Sequence, residues 1–222
     1  MADGLMTDGY PPTERTRVRR KPGRGSYDRE LVHAILDEAL TCHVGFVQDG
    51  QPFVIPTIHA RVGETLFLHG ARGNRMLNAL IDGIPCCVTA TLVDELVLAR
   101  AALHHSLNYR SVMVLGTASE VTDPGEKQDA LRAVVEHIAP GRADGVRGAD
   151  ATDLKSTRVL SLAIEEASAK VRTGPPVDET ADMDLPYWAG QLPLTRGTGE
   201  PITAPDLTQD LPVPEHVRAW RR

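Results

Sequence analysis

Residues 43–62 read HVGFVQDGQPFVIPTIHARV, which are two β-rich runs on either side of Asp49-Gly50. Glycine tolerates positive φ, and an Asp-Gly pair between two such runs is a strong signal for a tight hairpin. The stretch therefore predicts an antiparallel β-hairpin. Gly63 and Glu64 then turn the chain into a further strand at residues 65–71, TLFLHGA.

The remaining periodic segments complete a pattern of about six strands and three helices. The remaining strands are predicted in IPCCVTATLV, ELVLAR, YRSVMVLGTASEV and TRVLSLAIEEASAKV. Asp94 lies near the turn between the first two of them. The helices are predicted in YDRELVHAILDEAL, RGNRMLNALIDG and DPGEKQDALRAVVEHIAP. Asp28 and Asp123 can cap the first and third helices, and Gly83 ends the second. Because strands and helices do not alternate regularly, we predict a mainly β (α+β) fold, a small antiparallel barrel with peripheral helices.

Composition divides the chain into three parts. Residues 1–26 form a basic N-terminal arm, residues 27–170 form the barrel, and residues 171–222 form a Pro/Gly-rich extension. The arm is either an electrostatic footprint for a partner or nucleotide, or a solvated, flexible tail, which composition favours. Tyr187 and Trp188 in the extension predict that it docks on the barrel, since a Pro-rich segment cannot bury them by its own folding.

Charge and composition exclude several classes of protein. The net charge is −6 and aromatic residues make up 4% of the chain, which argues against nucleic-acid binding. Three cysteines without a C-x-x-C motif indicate neither a disulfide framework nor a thiolate zinc site. No apolar run is long enough for a membrane span and no signal-peptide core is visible, so we expect a cytoplasmic protein.

The end of the strand TLFLHGA and the start of the next helix form the first candidate site. Arg72 and Arg75 flank a helix start, where unpaired N–H groups and the helix dipole favour a phosphate. The alternative is that both are ordinary solvated charges. His69 lies just before this turn, where it is a candidate catalytic proton donor or a strand histidine satisfied by a neighbour.

Residues 104–116, HHSLNYRSVMVLG, concentrate polar side chains at the mouth of a strand. His104 and His105 are neighbours on an extended segment and point to opposite faces, so we expect no metal site. No G-x-S-x-G motif surrounds Ser106 and no G-x-G-x-x-G follows a strand, which argues against a hydrolase and a Rossmann site. The segment therefore predicts ligand recognition.

Eight stretches between residue 27 and about residue 194 resemble the split-barrel flavoproteins related to pyridoxamine 5′-phosphate oxidase. They are YDRELVHAILDEA, HVGFVQDGQPFVIPT, LFLHGARGNRML, CCVTATLVDELVLAR, HHSLNYRSVMVLG, EKQDAL, EASAKVRTGPPVD and WAGQLPL. The chain is most similar to the nitroimidazole-resistance (flavin-nucleotide-binding) branch. This resemblance implies a six-stranded antiparallel split barrel that forms a homodimer and holds FMN at the dimer interface.

The resemblance also implies which residues contact the flavin. Backbone groups of the segment PFVIPT would lie along it, and the arginines of the first candidate site would meet its phosphate. The implied cofactor-binding residues are Pro56, Thr57, His69, Gly70, Ala71, Arg72, Asn74, Arg75, Arg110 and Ser111.

The activity implied by the resemblance is FMN-dependent reduction of small molecules such as nitroaromatics or quinones, with a reduced nicotinamide as possible donor. The alternatives are a flavin or haem carrier, and a reductase that uses F420 and contacts its acidic tail through the arm. Glu95 stands where a glycine is expected and should change only the turn. Ala101 stands where a serine is expected and removes one hydroxyl near the site. The R-L-x-x-R type of ending is missing, so pyridoxamine phosphate is not implied as the substrate.

Overall fold

A computed structural model describes residues 9–209 and 211–221 of the chain. Its strands are β1 (Gly25–Ser26), β2 (Cys42–Gln48), β3 (Gln51–Thr57), β4 (His59–Val62), β5 (Thr65–Ala71), β6 (Cys86–Leu98), β7 (Ser106–Gly116), β8 (Ser119–Glu120), β9 (Thr157–Ala163), β10 (Glu166–Arg172) and β11 (Gly190–Pro193). Its α-helices are α1 (Arg29–Glu38), α2 (Arg75–Ile81), α3 (Pro124–Ile138), α4 (Ala151–Ser156) and α5 (Glu215–Arg218).

Two antiparallel sheets enclose the core. One has seven strands in the order β1-β10-β7-β6-β2-β3, with β11 added on β6, and the other has four in the order β4-β5-β9-β8. Alternate residues of these strands meet inside, among them the fully buried Val44, Leu68, Val114 and Leu160. The predicted mainly β, antiparallel split barrel with peripheral helices is confirmed. No helix of the described residues is long and apolar enough to cross a membrane.

The local signals of the sequence match the backbone. Asp49 and Gly50 have φ of 52° and 76° and join β2 to β3, as the hairpin signal predicted. The Asp28 carboxylate accepts a hydrogen bond from the Leu31 N–H at 2.7 Å, and that of Asp123 accepts one from Glu126 at 2.9 Å. Both predicted helix caps are therefore confirmed.

Four strand predictions differ from the structure. The run predicted after Asp49-Gly50 is two strands, β3 in the seven-stranded sheet and β4 in the four-stranded sheet. The strands predicted on either side of Asp94 are one strand, β6, whose register shifts between Val93 and Glu95. Asp94 lies in this bulge, and no turn separates the two halves. The single strand predicted through YRSVMVLGTASEV is split into β7 and β8, because the chain passes after Gly116 from the seven-stranded sheet to the four-stranded sheet. A Cβ at Gly116 would lie 2.7 Å from Leu162 Cδ1, so a larger residue there would have to displace the end of that side chain.

The predicted closing strand TRVLSLAIEEASAKV is also two strands. β9 belongs to the four-stranded sheet and β10 to the seven-stranded sheet. At the corner between them, the Ile164 N–H donates to the Glu64 carbonyl at 2.8 Å instead of continuing a ladder. The alternation of buried apolar residues shifts its phase at the corner, because two residues that are not buried, Glu165 and Glu166, stand between Ile164 and Ala167. This shift was the signal in the sequence that the single-strand prediction missed.

The predicted N-terminal arm lies partly against the barrel. Residues 1–8 fall outside the described residues, whereas Tyr10 and Thr16 are buried. Arg15 forms an ion pair with Glu166 at the start of β10. The Val18 N–H donates to the Tyr27 hydroxyl at 3.2 Å. Residues 9–20 thus differ from a solvated tail, because side-chain contacts hold them at several points.

The C-terminal extension runs back over β6. The Asp178 carboxylate accepts from the N–H groups of Arg100 and Ala101 at 3.0 and 3.3 Å, and β11 then pairs with β6. The extension was predicted to dock in order to bury Tyr187 and Trp188. These side chains remain 61% and 69% exposed, so that reason is wrong. Backbone pairing and a buried carboxylate hold the extension there instead.

Candidate functional site

A cavity of about 520 Å³ lies on the outer side of β5 and β9, beneath α3 and the segment that follows it. His69 of β5 and Thr157 of β9 line it on one side. α3 supplies an apolar stripe at helical spacing, and residues 143–149 close the other side. The apolar side chains of this wall are Leu131, Val134, Val135, Ile138, Ala143 and Val146.

His69 is the polar group that this cavity buries. Its Nδ1 atom is buried and has no hydrogen-bond partner in the part of the chain that the structure describes. Burial lowers the pKa of His69, which favours the neutral imidazole. A neutral imidazole with an unused nitrogen in an apolar cavity is suited to ligate a metal centre or to exchange a proton with a ligand.

Arginine–carboxylate pairs form the rim of the same cavity. Arg132 pairs with Asp144 at 2.6 Å, and Arg147 pairs with Asp150 and Asp153 at 2.9 and 2.8 Å. All of these pairs are substantially exposed, so each contributes little to stability. They place the guanidinium groups of Arg132 and Arg147 at the edge of the cavity.

The predicted flavin-binding residues at the ends of β3 and β5 lie close together. Thr57 ends β3 two residues before His59, and His59 pairs with Leu68 of β5. The chain therefore brings Pro56 and Thr57 beside the segment His69–Ala71. His69 itself belongs to the cavity described above, so that cavity and the end of β5 share one residue.

The start of α2 approaches β5 closely. A Cβ at Gly70 would lie 3.1 Å from Leu77 Cδ1 and 3.4 Å from Asn74 Nδ2. The Asn74 side-chain oxygen caps α2 by accepting from the Leu77 N–H at 3.2 Å. Arg75 is exposed and lies over the Phe53 ring of β3, 5.4 Å from its centroid. Arg72 and Arg75 are thus available for a phosphate, whereas the Asn74 oxygen is already used.

The structure does not bring Arg110 and Ser111 to the same place. Arg110 of β7 points towards α1, where it pairs with Glu38 at 2.8 Å and with Asp94 at 2.8 Å. These carboxylates raise its pKa. Ser111 points to the opposite face of the sheet, where its hydroxyl donates to the Lys170 carbonyl at 3.2 Å. Adjacent residues of a strand face opposite sides of the sheet, so the side chains of Arg110 and Ser111 cannot both contact a flavin bound on one side of this sheet.

Sequence reasoning missed the cavity wall made by α3. Leu131, Val134, Val135 and Ile138 recur at the spacing of one helix face, yet only Val134 of these is fully buried. The apolar stripe at helical spacing was the signal available in the sequence. Only the structure shows that the core leaves this stripe partly uncovered.

Comparison with known proteins identifies relatives of this architecture. The family model described as pyridoxamine 5′-phosphate oxidase matches residues 28–171. The structure of the flavocytochrome Anf3 from Azotobacter vinelandii is 40% identical, with a TM-score of 0.88, over 96% of this chain and 99% of that one. The FAD and haem binding protein from Mycobacterium smegmatis is 36% identical, with a TM-score of 0.85, over 89% and 97%.

The expected nitroimidazole-resistance branch is only a distant relative. A structure from Bacteroides thetaiotaomicron assigned to 5-nitroimidazole antibiotic resistance is 22% identical, with a TM-score of 0.56, over 66% of this chain and 86% of that one. That level of identity shows a shared fold alone. No curated protein matches the chain. Since the family model spans most of the barrel and two structures exceed 30% identity over nearly the whole chain, this protein belongs to the pyridoxamine 5′-phosphate oxidase family.

Proposed function

We propose that this protein binds a flavin and a haem and passes electrons between them. The observation that carries this proposal is the apolar cavity of about 520 Å³ around the unpartnered Nδ1 of His69. The two relatives at 40% and 36% identity are a flavocytochrome and an FAD and haem binding protein, which supports the same pair of cofactors here. The comparisons favour it over an FMN-dependent reductase of nitroaromatics or quinones, because the nitroimidazole-related structure shares only the fold.

The residues around His69 fit a haem in size and chemistry. Cofactor cavities of about 300–1,000 Å³ with mostly apolar walls and few polar groups are typical. His69 would ligate the iron, Leu131 and Ile138 would contact the macrocycle, and Arg132 and Arg147 would face its carboxylates. A bound haem supplies one-electron transfer at its iron, tuned by its axial ligand and by burial.

The flavin would lie at the adjacent ends of β3 and β5. Pro56, Thr57, Gly70 and Ala71 offer backbone groups there, and Arg72 and Arg75 offer cationic donors for a phosphate. Because His69 directly precedes Gly70, the two proposed cofactor sites are neighbours on one strand. Short separation of two redox cofactors is what electron transfer between them requires.

The proposal is tested by the absorption spectrum of the protein purified from cells supplied with haem. We expect both flavin bands and a Soret band. His69→Ala should lose the Soret band and keep the flavin, whereas His105→Ala, which changes an exposed histidine, should keep both. Retention of haem by His69→Ala would refute the ligand assignment, and a wild-type protein without haem would refute the proposed function.

A further inference from the structure

A second concave surface lies on the outer face of the seven-stranded sheet, apart from the cavity at His69. We call it the basic groove. Its volume is about 440 Å³; residues 15–20 of the arm form one wall, and β6, β7 and β10 form the floor. Neither the helix start at α2 nor the cavity wall at α3 takes part in it.

Strand register builds the floor of the basic groove from polar side chains. Thr91, Ser111 and Lys170 lie in one row across β6, β7 and β10. Thr89, Met113 and Ser168 form the next row. The residues between them in sequence, such as Ala90 and Val112, point into the core and are buried. The outer face of these central strands thus carries hydroxyl groups and a lysine.

The cations around the basic groove exceed the carboxylates that neutralise them. Arg15 pairs with Glu166, and Arg19 pairs with Glu14 at 2.7 Å. Among the described residues no carboxylate pairs with Arg17, Arg20 or Lys170. The chain as a whole carries a net charge of −6, so this local excess is not a property of its general surface.

A further arginine next to the basic groove adds to the positive charge of this region. Arg172 follows Lys170 on the same face of β10 and is buried, and it donates to the Asn108 side-chain oxygen and not to a carboxylate. Burial, together with the nearby positive charge of Arg24, lowers the pKa of Arg172. The Glu95 carboxylate is linked to this arginine through Asn108, which separates the two. Arg172 thus adds a positive charge at this end of the sheet.

The arm wall is held in place by its own contacts. The Thr16 side chain is buried and accepts from the Thr13 N–H at 2.9 Å. Gly25, the first residue of β1, approaches so closely that a Cβ there would lie 2.8 Å from Val18 Cβ. The side chains of Arg17 and Arg20 are thus carried on a backbone that is already positioned, which reduces the entropy that a ligand must overcome.

We propose that the basic groove binds the phosphate-bearing AMP half of a dinucleotide. Arg17, Arg20 and Lys170 would neutralise the diphosphate, and the hydroxyl groups of Thr91 and Ser111 would hydrogen-bond to its oxygens or to a ribose. A volume of about 440 Å³ suits a nucleotide half. Two sources share this chemistry, namely the adenylate half of FAD and a reduced nicotinamide dinucleotide. The first rests on the proposed flavin function, and the second does not.

The test compares dissociation constants of FAD, FMN and NADPH for the full chain. In Arg17→Ala/Arg20→Ala, loss of two charge-assisted contacts should weaken dinucleotide binding about a hundredfold. If the groove holds part of FAD, affinity for FAD falls and affinity for FMN does not. If it holds the nicotinamide dinucleotide, affinity of the flavin-loaded protein for NADPH falls while that for FAD is unchanged.

Lys170→Met should act in the same direction as the double variant. Lys155→Ala, which removes an exposed positive charge on α4, is the matched control and should change none of the three constants. Unchanged FAD and NADPH binding in a folded double variant, shown by circular dichroism, overturns the proposal. A wild-type protein that binds no flavin refutes the proposed function, and titration of that flavin-free protein and of the double variant with NADPH then decides whether the groove binds a dinucleotide.

Discussion

Glu95 connects three parts of the molecule, although sequence comparison with the family suggested that it would only alter a turn. Its carboxylate accepts from the side-chain amides of Asn108 on β7 and Gln191 on β11. Asn108 in turn accepts from the Arg172 guanidinium and donates to the Gly174 carbonyl at 3.1 Å. This polar network lies within or beside the bulge of β6, and it attaches the C-terminal extension to the barrel.

We expect Asn108→Ala to destabilise the protein. Asn108 is buried, and its loss removes one hydrogen bond from each of Arg172 and Glu95, which leaves Glu95 with Gln191 and Arg172 with the Gly174 carbonyl at 3.4 Å. The free energy of unfolding should fall by about 1–3 kcal/mol, since removing one partner of a buried hydrogen bond costs that much. Urea denaturation measures this. Ser106→Ala on the same strand changes an exposed residue and should stay within about 0.5 kcal/mol of wild type.

Arg72 and Arg75 are predicted to recognise the flavin phosphate. Replacing both with Ala removes two charge-assisted contacts worth about 1.5–3 kcal/mol each. Affinity for FMN should therefore fall by orders of magnitude, while affinity for riboflavin, which has no phosphate, should change little. Fluorescence titration with both ligands checks this. Equal losses for the two ligands would show that the arginines do not act on the phosphate.

At the level of elements, the C-terminal extension depends on one buried carboxylate and one short strand. Asp178 is buried at the end of β6, where burial by itself would raise its pKa. Hydrogen bonds from Arg100 and Ala101 outweigh burial, so the pKa of Asp178 lies below its usual value. A carboxyl group with a depressed pKa in the folded state stabilises the fold above its unfolded pKa. That stabilisation is lost as the pH falls through the folded pKa.

We therefore expect the docking of the extension to weaken in acid. In wild-type protein, the amides of β11 should be protected from hydrogen exchange at neutral pH and lose protection, after correction for intrinsic rates, in acid. Asp178→Ala should lose this protection already at neutral pH. Glu179→Ala, whose side chain is 77% exposed, is the control. Unchanged exchange of β11 in Asp178→Ala would show that strand pairing alone holds the extension.

At the scale of the whole molecule, one face of the barrel is apolar and open. Outward residues of β2, β3 and β6 form this apolar face, and Val47 and Val54 are 54% and 67% exposed on it. The basic groove adjoins it, since Arg15 lines both. We propose that a second copy of the chain covers the apolar face and makes a homodimer, because exposed apolar surface of this kind marks an interface.

Sedimentation checks the dimer. Wild-type protein should sediment as a dimer, and Val54→Lys should shift it to the monomer, because a charge would be buried without a partner. Val62→Lys changes a residue with 53% exposure on the other sheet and should leave the dimer intact. A wild-type monomer with fully bound flavin would contradict the proposed interface.

What the sequence alone determined is local. The Asp49-Gly50 hairpin and the caps at Asp28 and Asp123 follow from backbone preferences and side chains within a few residues, so the pattern predicted them correctly. The mainly β barrel follows from the short spacing of the strands. The quoted stretches in order also led to the right family, although the relatives above 30% identity are a flavocytochrome and an FAD and haem binding protein rather than nitroimidazole-resistance proteins.

Only the tertiary structure decided which distant residues meet. The cavity joins His69 to α3 and to residues 143–149, and Arg110 finds its carboxylates on α1 and in the β6 bulge. The corner at Ile164 sends β9 and β10 to different sheets, and the adjacent Glu165 and Glu166 interrupt the alternation there without indicating which sheet each strand joins. The periodicity of a sequence indicates which side of a strand is buried, but it does not indicate which element that side packs against. Contacts across many tens of residues depend on how the sheets close, because closure brings together side chains that no local pattern relates.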